Sequence, residues 1–443
     1  MNINTPESVD FILNTLNQNN YQAYIVGGAV RDSLLNRKIK DWDIATDATP
    51  DKIQLLFNKT LPTGLKHGTV TVIVGKEQHE VTTFRVDGDY SDGRHPDRVV
   101  FTDDLMEDMS RRDFTINGMG YNKQMGLVDP FGGLYDIEHK IIRCVGNPND
   151  RFTEDALRMM RAIRFDCQLD FSIESSTLSA IAKNSGLIQK VSAERIQDEL
   201  NKILVTDRVN KGIYILYSSR LLDYILPELT DCFGVSQNTP YHFTDVGRHT
   251  LFTLFNIAPI LNLRLTMLLH DIGKASTKTI AENGVEHFYG HQQVSYDKSI
   301  EIMKRLRYDN GTIDTVSTLI LHHMDEIIPS KRVVRRFLNR LGIDLFLNLL
   351  EVKIADYYGQ SPEFYKSRHR EIMEVGKILD EILNEKEAFS LKDLAVNGDD
   401  LIENGFQEGK ELGIVLAGLM ELVIDDPELN KREILLRRAK EML

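Results

Sequence analysis

The stretch YIVGGAVRD at 24–32, followed by DWDIAT at 41–46, decides how this chain is read. An apolar run ending at Val26 has the pattern of a buried strand. It breaks at Gly27 and Gly28 into a predicted helix beginning near Ala29. Glycines let the backbone bend and approach a ligand closely, and a helix start offers free N–H groups to a phosphate. Arg31 adds a charge-assisted contact to the same anion. Residues i and i+2 of a strand share a face, so Asp41 and Asp43 are expected side by side, which is repulsive unless a cation lies between them. Hard oxygen ligands of this kind suit Mg²⁺, in the two-metal arrangement used for phosphoryl transfer. The strand HEVTTF at 79–84 offers Glu80, sharing a face with Thr82 and opposite Val81, as a third carboxylate.

Working outward, a helix-like stretch (VDFILNTLNQN, 9–19) precedes these strands, and GTVTVIVG at 68–75 adds another. From about residue 150 strand signals fade and a three-to-four-residue apolar period takes over. The expected fold class is α+β: an N-terminal head with a small mixed sheet and helices, then a long all-α body. The expected domains are 1–150, a catalytic head; 151–230, a helical neck; 231–385, a helical domain; and 386–443, a helical tail. The turn-rich stretches at 225–240 and 385–390 mark the last two boundaries.

With 443 residues the chain is long enough for several cores. It lacks the roughly 18 uninterrupted apolar residues of a membrane span and a signal-peptide start, so a soluble cytoplasmic protein is expected, with no membrane and no obligate protein partner. Cys144, Cys167 and Cys232 have no metal-ligand spacing and are expected to be reduced and inert. The net charge of −13 disfavours a uniformly basic nucleic-acid surface. Arginines crowd 151–164 and 332–340, leaving open a local basic path or plain solvated helix faces.

Two further motifs carry chemistry. In RRDFTIN (111–117), Arg111 and Arg112 can bind triphosphate or sugar oxygens, and Asp113 can accept a hydrogen bond from a ribose 2′-OH. The stretch FTEDALRMMRAIRF (152–165) reads as one helix with Thr153 as N-cap. Asp155, Arg158 and Arg161 form a band along one side, and Glu154 precedes Arg158 by the four residues that favour a helix pair. A carboxylate acceptor beside a guanidinium fork can read the Watson–Crick edge of a base. A salt-bridged surface helix is the plainer alternative.

Farther on, LTMLLHDIGK sets His270 and Asp271 in an apolar run, where they need partners. His249, His291, His322 and Asp356 complete a set of nitrogen and oxygen ligands suited to a divalent transition metal, with His323 an alternative to His322.

Taken in order, GGAVRD, DWDIAT, RRDFTINGM (111–119), DPFGGLYDIEHKIIRCVGNP (129–148) and RFTEDALRMMRAIRF (151–165) resemble the motifs of class II, bacterial-type tRNA nucleotidyltransferases of the DNA polymerase β superfamily. That family comprises CCA-adding enzymes and the related poly(A) polymerases. The resemblance implies a polymerase-β-like head that adds C, C and A to tRNA 3′ ends from CTP and ATP, releasing pyrophosphate. It implies Mg²⁺ on Asp41 and Asp43. It places Gly27, Gly28, Arg31, Arg111, Arg112, Asp113 and Asn117 around the nucleotide. It assigns base selection to Asp155 and Arg158, assisted by Arg161 and Arg164.

The polar stretch 85–108 looks like the family's flexible loop, which helps switch the pocket from CTP to ATP. Its presence argues against CC-only addition and leaves A-only addition open. The histidine set resembles the HD phosphohydrolases, implying Ni²⁺, Co²⁺, Mn²⁺ or Mg²⁺ and phosphate monoester or 2′,3′-cyclic phosphate substrates. The tail looks like the segment that holds the tRNA elbow. The alternatives are an A-adding enzyme or poly(A) polymerase, or an RNA-binding module whose only activity is the HD hydrolase.

Overall fold

The head sheet is built from Ala23–Val26 (β1), Ile44–Thr46 (β2), Thr60–Gly64 (β3), Thr69–Val74 (β4) and Glu77–Thr83 (β5). A separate ribbon, Arg85–Asp87 (β6) with Val99–Phe101 (β7), follows, and Gly120–Asn122 (β8) and Gly126–Val128 (β9) complete the sheet. Its order is β3-β4-β5-β2-β1-β8-β9, with β2 parallel to β5 and the other pairs antiparallel. The computed structural model describes residues 3–88, 99–239 and 241–442, and the chain divides into two units, 1–230 and 231–443.

Alternation explains how the strands are covered. Tyr24 and Val26 join Ala45, Phe84, Leu105 and Met109 in one cluster, while the intervening Ile25 is fully buried. In β5, His79, Val81 and Thr83 are buried and Glu80 is exposed. The helix Glu7–Gln18 buries Val9, Ile12, Leu13 and Leu16 along one stripe, each contributing about 1.5–3 kcal/mol. The segment read as a functional loop has paired ends: Arg85 lies opposite Phe101 and Asp87 opposite Val99. Residues 89–98 of that segment lie outside the described residues.

Two expectations change. Strand β2 begins at Ile44, so Asp41 and Asp43 occupy its lead-in, where the Asp43 carbonyl accepts from Val26 N–H at 3.0 Å. The stretch 152–165 is not one helix. Pro148–Glu154 ends at Asp155, whose φ of −144° and ψ of 103° are extended, and a new helix runs Leu157–Leu169. Asn147, not Thr153, caps the first piece, and the Asp155 carboxylate accepts from Leu157 N–H at 3.1 Å to start the second.

Among its described residues the regular structure of the second unit is helical apart from the two-residue ribbon Thr279–Ile280 with Glu286–His287. Its helices include Val246–Phe255, the buried Leu261–Leu269, His291–Arg305, Asn310–His322 and Lys331–Tyr358. Gly342, at φ +75°, breaks the last of these, a conformation L side chains rarely adopt. Residues 388–439 supply a separate apolar cluster centred on Leu401, Leu419, Val423, Ile424 and Leu435. No helix among the described residues is long and apolar enough to cross a membrane.

Candidate functional site

In the head, sheet register brings the carboxylates together. Ile44 of β2 pairs with Val81 of β5 in parallel, so one step back along both chains sets Asp43 beside Glu80. Both side chains stay open to solvent. Desolvation raises the Asp43 pKa, with Arg112 opposing and Asp41 reinforcing. Desolvation also raises Glu80, followed by the charges of Asp43 and Asp41. Three carboxylates gathered this way, with Asp43 and Glu80 each disfavoured from ionising by its neighbours, make a site whose charge calls for cations. The donor set is all oxygen and suits Mg²⁺.

Beside them, Gly27 turns the chain at φ +69°. A Cβ built there would lie 3.0 Å from Arg112 Nη1, so the glycine makes room for the guanidinium. The fully buried Asp108 holds both arginines, accepting from Arg111 Nη2 at 2.6 Å and Arg112 Nη2 at 3.2 Å. Burial pushes the Asp108 pKa up, but the two guanidiniums outweigh it and leave the carboxyl below its ordinary value. Arg31 is buried and donates from Nη1 to Asn117 Oδ1 at 2.7 Å.

Asp113 is buried and accepts four hydrogen bonds. They come from Phe114 N–H (2.8 Å), Asn117 Nδ2 (3.0 Å) and Arg161 Nε and Nη2 (2.9 and 2.6 Å). Burial opposes ionisation, yet Arg161 and Asn117 hold the carboxyl well below the usual range. A carboxylate has about four acceptor sites. A ribose hydroxyl reaching Asp113 therefore displaces or shares one of these donors.

The groups expected to read the base are also held. Asp155 accepts from Arg195 Nη2 at 2.7 Å. Arg158 pairs with Glu154 at 2.6 Å, in the order the sequence suggests, and donates to the Arg111 carbonyl at 3.1 Å. Arg164 donates to the buried Glu199 at 2.6 Å.

In the second unit, four buried histidines share one arrangement. The Nδ1 atoms of His249, His270, His291 and His323 lie 3.1, 2.9, 2.8 and 2.6 Å from the carbonyls of Gly359, Met267, Phe288 and Ile320. With Nδ1 engaged by a carbonyl, each Nε2 faces inward, and these converge on Asp271. Its Oδ2 is 3.3 Å from His270 Nε2 and 3.5 Å from His249 Nε2, and its Oδ1 is 3.4 Å from His291 and 3.8 Å from His323. Asp356 lies 2.9 Å from His249. Ligands on one ion at about 2.1 Å stand about 3.0–3.4 Å apart, which these spacings approach. The Nε2 atoms of His291 and His323 are buried without a hydrogen-bond partner, as befits metal ligands.

The expected His322 is not part of this set. It ends the helix Asn310–His322 and lies 2.8 Å from Asp325, while its neighbour His323 turns into the cluster. Burial lowers the His270 pKa, but Asp271 and Asp356 override it and raise the value to about 10. Burial, reinforced by His270, takes His323 down to about 3. A cavity of about 730 Å³ opens beside the cluster, its wall including Lys274 and Lys353.

These sites can be set beside known proteins. Residues 23–143 match the poly A polymerase head domain, 170–233 the probable RNA and SrmB-binding site of polymerase A, and 247–359 the HD domain. A CCA-adding enzyme of Pediococcus pentosaceus is 33% identical over 438 residues, covering 98% of each chain. The chain belongs to the CCA-adding enzymes. Another, from Streptococcus pyogenes, is 34% identical over 370 residues, 79% of this chain and 92% of that one. The crystal structure of the Bacillus stearothermophilus CCA-adding enzyme in complex with CTP aligns with a TM-score of 0.73 and 29% identity, over 98% of this chain and 97% of that one. The Thermotoga maritima CCA-adding enzyme complexed with tRNA shares the fold, with a TM-score of 0.63 at 21% identity over 100% and 97% of the two chains.

CCA-adding enzymes are tRNA nucleotidyltransferases, and the family implies a divalent metal. Sequence reasoning about this member missed the residues that brace the others: Asp108, Arg195, Glu199 and Phe165. Arg195 and Glu199 meet partners 40 and 35 positions away and Phe165 backs the distant Arg31, beyond any local motif, whereas Asp108 braces Arg111 and Arg112 only three and four residues on. Lys274, 2.7 Å from Asp271, was present in HDIGK and could have been found as a charge three residues on. The arginines of 332–340 do not form an open basic path. Arg332 and Arg336 pair with Asp425 at 2.7 and 3.1 Å, and Arg340 with Asp325 at 3.0 Å. The three cysteines are buried, their thiols pushed up to about 12 chiefly by burial.

Proposed function

We propose that this enzyme adds C, C and A to the 3′ end of tRNA from CTP and ATP without a nucleic-acid template, working beside the cytoplasmic tRNA pool. The observation that carries the proposal is the register of Asp43 with Glu80, with Asp41 close by and Arg112 seated over the Gly27 turn. Asp41, Asp43 and Glu80 would hold Mg²⁺, which when bound supplies Lewis acidity to the attacking 3′-hydroxyl and the departing pyrophosphate. Gly27, Gly28, Arg31, Arg111 and Arg112 serve the triphosphate, and Asp113 and Asn117 serve the ribose. Asp155 and Arg158 read the base, with Arg161 and Arg164 behind them. The test is incubation with Mg²⁺, CTP and ATP and tRNA ending before CCA, after C or after CC, followed by product sequencing. A added only to the CC-ending tRNA would replace this reading with A-only addition. Long A tracts would replace it with polyadenylation. Asp41→Ala that still extends tRNA would remove the proposed metal site.

A second activity rests on the buried Nε2 atoms converging on Asp271. His249, His270, Asp271, His291, His323 and Asp356 would hold Ni²⁺, Co²⁺, Mn²⁺ or Mg²⁺, which when bound supplies Lewis-acid activation for hydrolysis of a phosphate ester. Lys274, beside Asp271 and in the cavity wall, provides positive charge for the phosphate. Hydrolysis of phosphate monoesters and 2′,3′-cyclic phosphates, assayed metal by metal, tests it. Absence of activity with all four metals sinks it.

A further inference from the structure

Arg31, Asn117, Asp113 and Arg161 are joined by one chain of hydrogen bonds whose first three members are buried. Arg31 Nη1 donates to Asn117 Oδ1 at 2.7 Å. Asn117 Nδ2 donates to Asp113 Oδ1 at 3.0 Å. Arg161 closes on Asp113 Oδ2 with both Nε and Nη2, at 2.9 and 2.6 Å. Arg31, Asn117 and Asp113 are all at most 9% exposed, so water offers little substitute for a lost partner. One aromatic ring backs the assembly. The guanidinium carbons of Arg31, Arg161 and Arg164 lie 4.9, 5.5 and 4.2 Å from the centroid of buried Phe165. Phe114, next to Asp113, meets the same ring edge-on at 5.7 Å.

The amide of Asn117 has one orientation that satisfies both neighbours, since its oxygen faces a guanidinium and its nitrogen a carboxylate. Three like charges gathered on one ring stay in place only while their counter-charges do. Arg161 stands one turn from Arg158 on the helix Leu157–Leu169, so a shift of Asp113 is felt by the groups that read the base.

We propose that Asn117 and Phe165 are positioning residues that make ribose recognition and base recognition interdependent. A 2′-hydroxyl engaging Asp113 competes with Asn117 or Arg161 for the carboxylate. It thereby sets where Arg161 and the adjoining base-reading groups stand. Discrimination between cytosine and uracil is then stronger for ribonucleotides than for deoxyribonucleotides.

This inference rests on the proposed reading of Asp155 and Arg158 as base selectors. The test measures kcat/KM for single-nucleotide addition to tRNA ending before CCA, with CTP, UTP, dCTP and dUTP. In the parent enzyme the CTP/UTP ratio exceeds the dCTP/dUTP ratio by about tenfold, the effect of one charge-assisted hydrogen bond. Asn117→Asp still accepts from Arg31 but cannot donate to Asp113 and repels it. It lowers the CTP/UTP ratio and brings it to the deoxynucleotide value. Phe165→Leu does the same more weakly. Arg161→Lys keeps the charge but loses the two-pronged contact, and supplies the same readout should Asn117→Asp fail to fold in a thermal melt.

Equal ratios for ribo- and deoxynucleotides in the parent, or losses in the folded variants that are uniform over all four nucleotides, would overturn the coupling. Asp155→Ala and Arg158→Ala separate the two failures. If these leave the CTP/UTP ratio intact, the base-reading assignment is wrong. If they collapse it while Asn117→Asp does not, only the coupling is wrong.

Discussion

Arg195 reaches back forty residues to Asp155, Nη2 to Oδ2 at 2.7 Å, and holds the carboxylate at the point where the helix expected over 152–165 breaks. Asp155 thus has two fixed oxygens, one on Arg195 and one on Leu157 N–H. Removing Arg195 leaves the carboxylate free to turn away from an incoming base. Arg195→Ala is expected to lower kcat/KM for CTP and ATP by roughly 10- to 100-fold, from the loss of a charge-assisted bond of about 1.5–3 kcal/mol. Arg195→Lys should recover part of it. Single-addition kinetics with each nucleotide measure both.

Gly27 sits at φ +69° with Arg112 Nη1 3.0 Å from its missing Cβ. Alanine there meets backbone strain of about 1–2 kcal/mol and pushes the guanidinium from the turn. Gly27→Ala is expected to raise KM for both CTP and ATP alike, because triphosphate contact does not distinguish bases. Separate KM and kcat values for the two nucleotides check this. A change confined to one nucleotide would contradict it.

The carboxylate cluster predicts a pH-dependent stability with a definite sign. Asp43 and Glu80 have raised pKa values when folded. Without metal they therefore cost stability above the folded pKa, and the cost disappears as pH falls below the unfolded values of about 3.9 and 4.3. Asp43→Asn is expected to melt above the parent in EDTA near neutral pH. The advantage should shrink as pH approaches about 4, a range followed by calorimetry. Mg²⁺ should raise the melting temperature of the parent more than that of the variant.

The head was legible because its chemistry is local. Gly27 to Arg31 and Asp41 to Asp43 are short runs, and the alternation that set Glu80 opposite Val81 holds in β5. The break at Asp155 is not legible in the sequence because FTEDALRMM contains no Gly or Pro. The break is set by the distant Arg195 and by the side chain of Asp155 itself. His322 and His323 could not be separated by sequence, since consecutive residues point about 100° apart and only the packing of the helix end decides which faces inward. The arginines of 332–340 look the same in sequence whether they meet phosphate or Asp425.

The second unit gives a test that is independent of any substrate. Mn²⁺, Co²⁺ or Ni²⁺ binding at the Asp271 cluster is expected to raise the melting temperature of the Asp41→Asn enzyme, in which the head site is weakened. His323→Ala should abolish most of the rise, and His322→Ala should leave it, because of these two only His323 presents a buried, unpartnered Nε2 beside Asp271. Isothermal titration with each metal gives the stoichiometry. Equal loss in the two variants would return His322 to the ligand set.

Arg335 predicts how residues 388–439 are secured within that unit. It is buried, donates from Nε and Nη2 to the Ile424 carbonyl at 2.9 and 2.7 Å, and pairs with Glu387. Ile424 lies in the apolar cluster around Leu401 and Leu419, so the guanidinium ties that cluster to the helix Lys331–Tyr358. Arg335→Ala strands the Ile424 carbonyl and leaves Glu387 to Lys331 alone, 2.8 Å away, at a cost of about 1–3 kcal/mol. Its effect should appear as early proteolysis after residue 385 and a lower urea midpoint. Arg335→Met fills the space but leaves the Ile424 carbonyl unpaired, so it should rescue little. Glu387→Gln, which keeps a hydrogen-bond acceptor for Arg335, should be milder than either. If Arg335→Met matched the parent, packing rather than the buried hydrogen bonds would be what holds the segment.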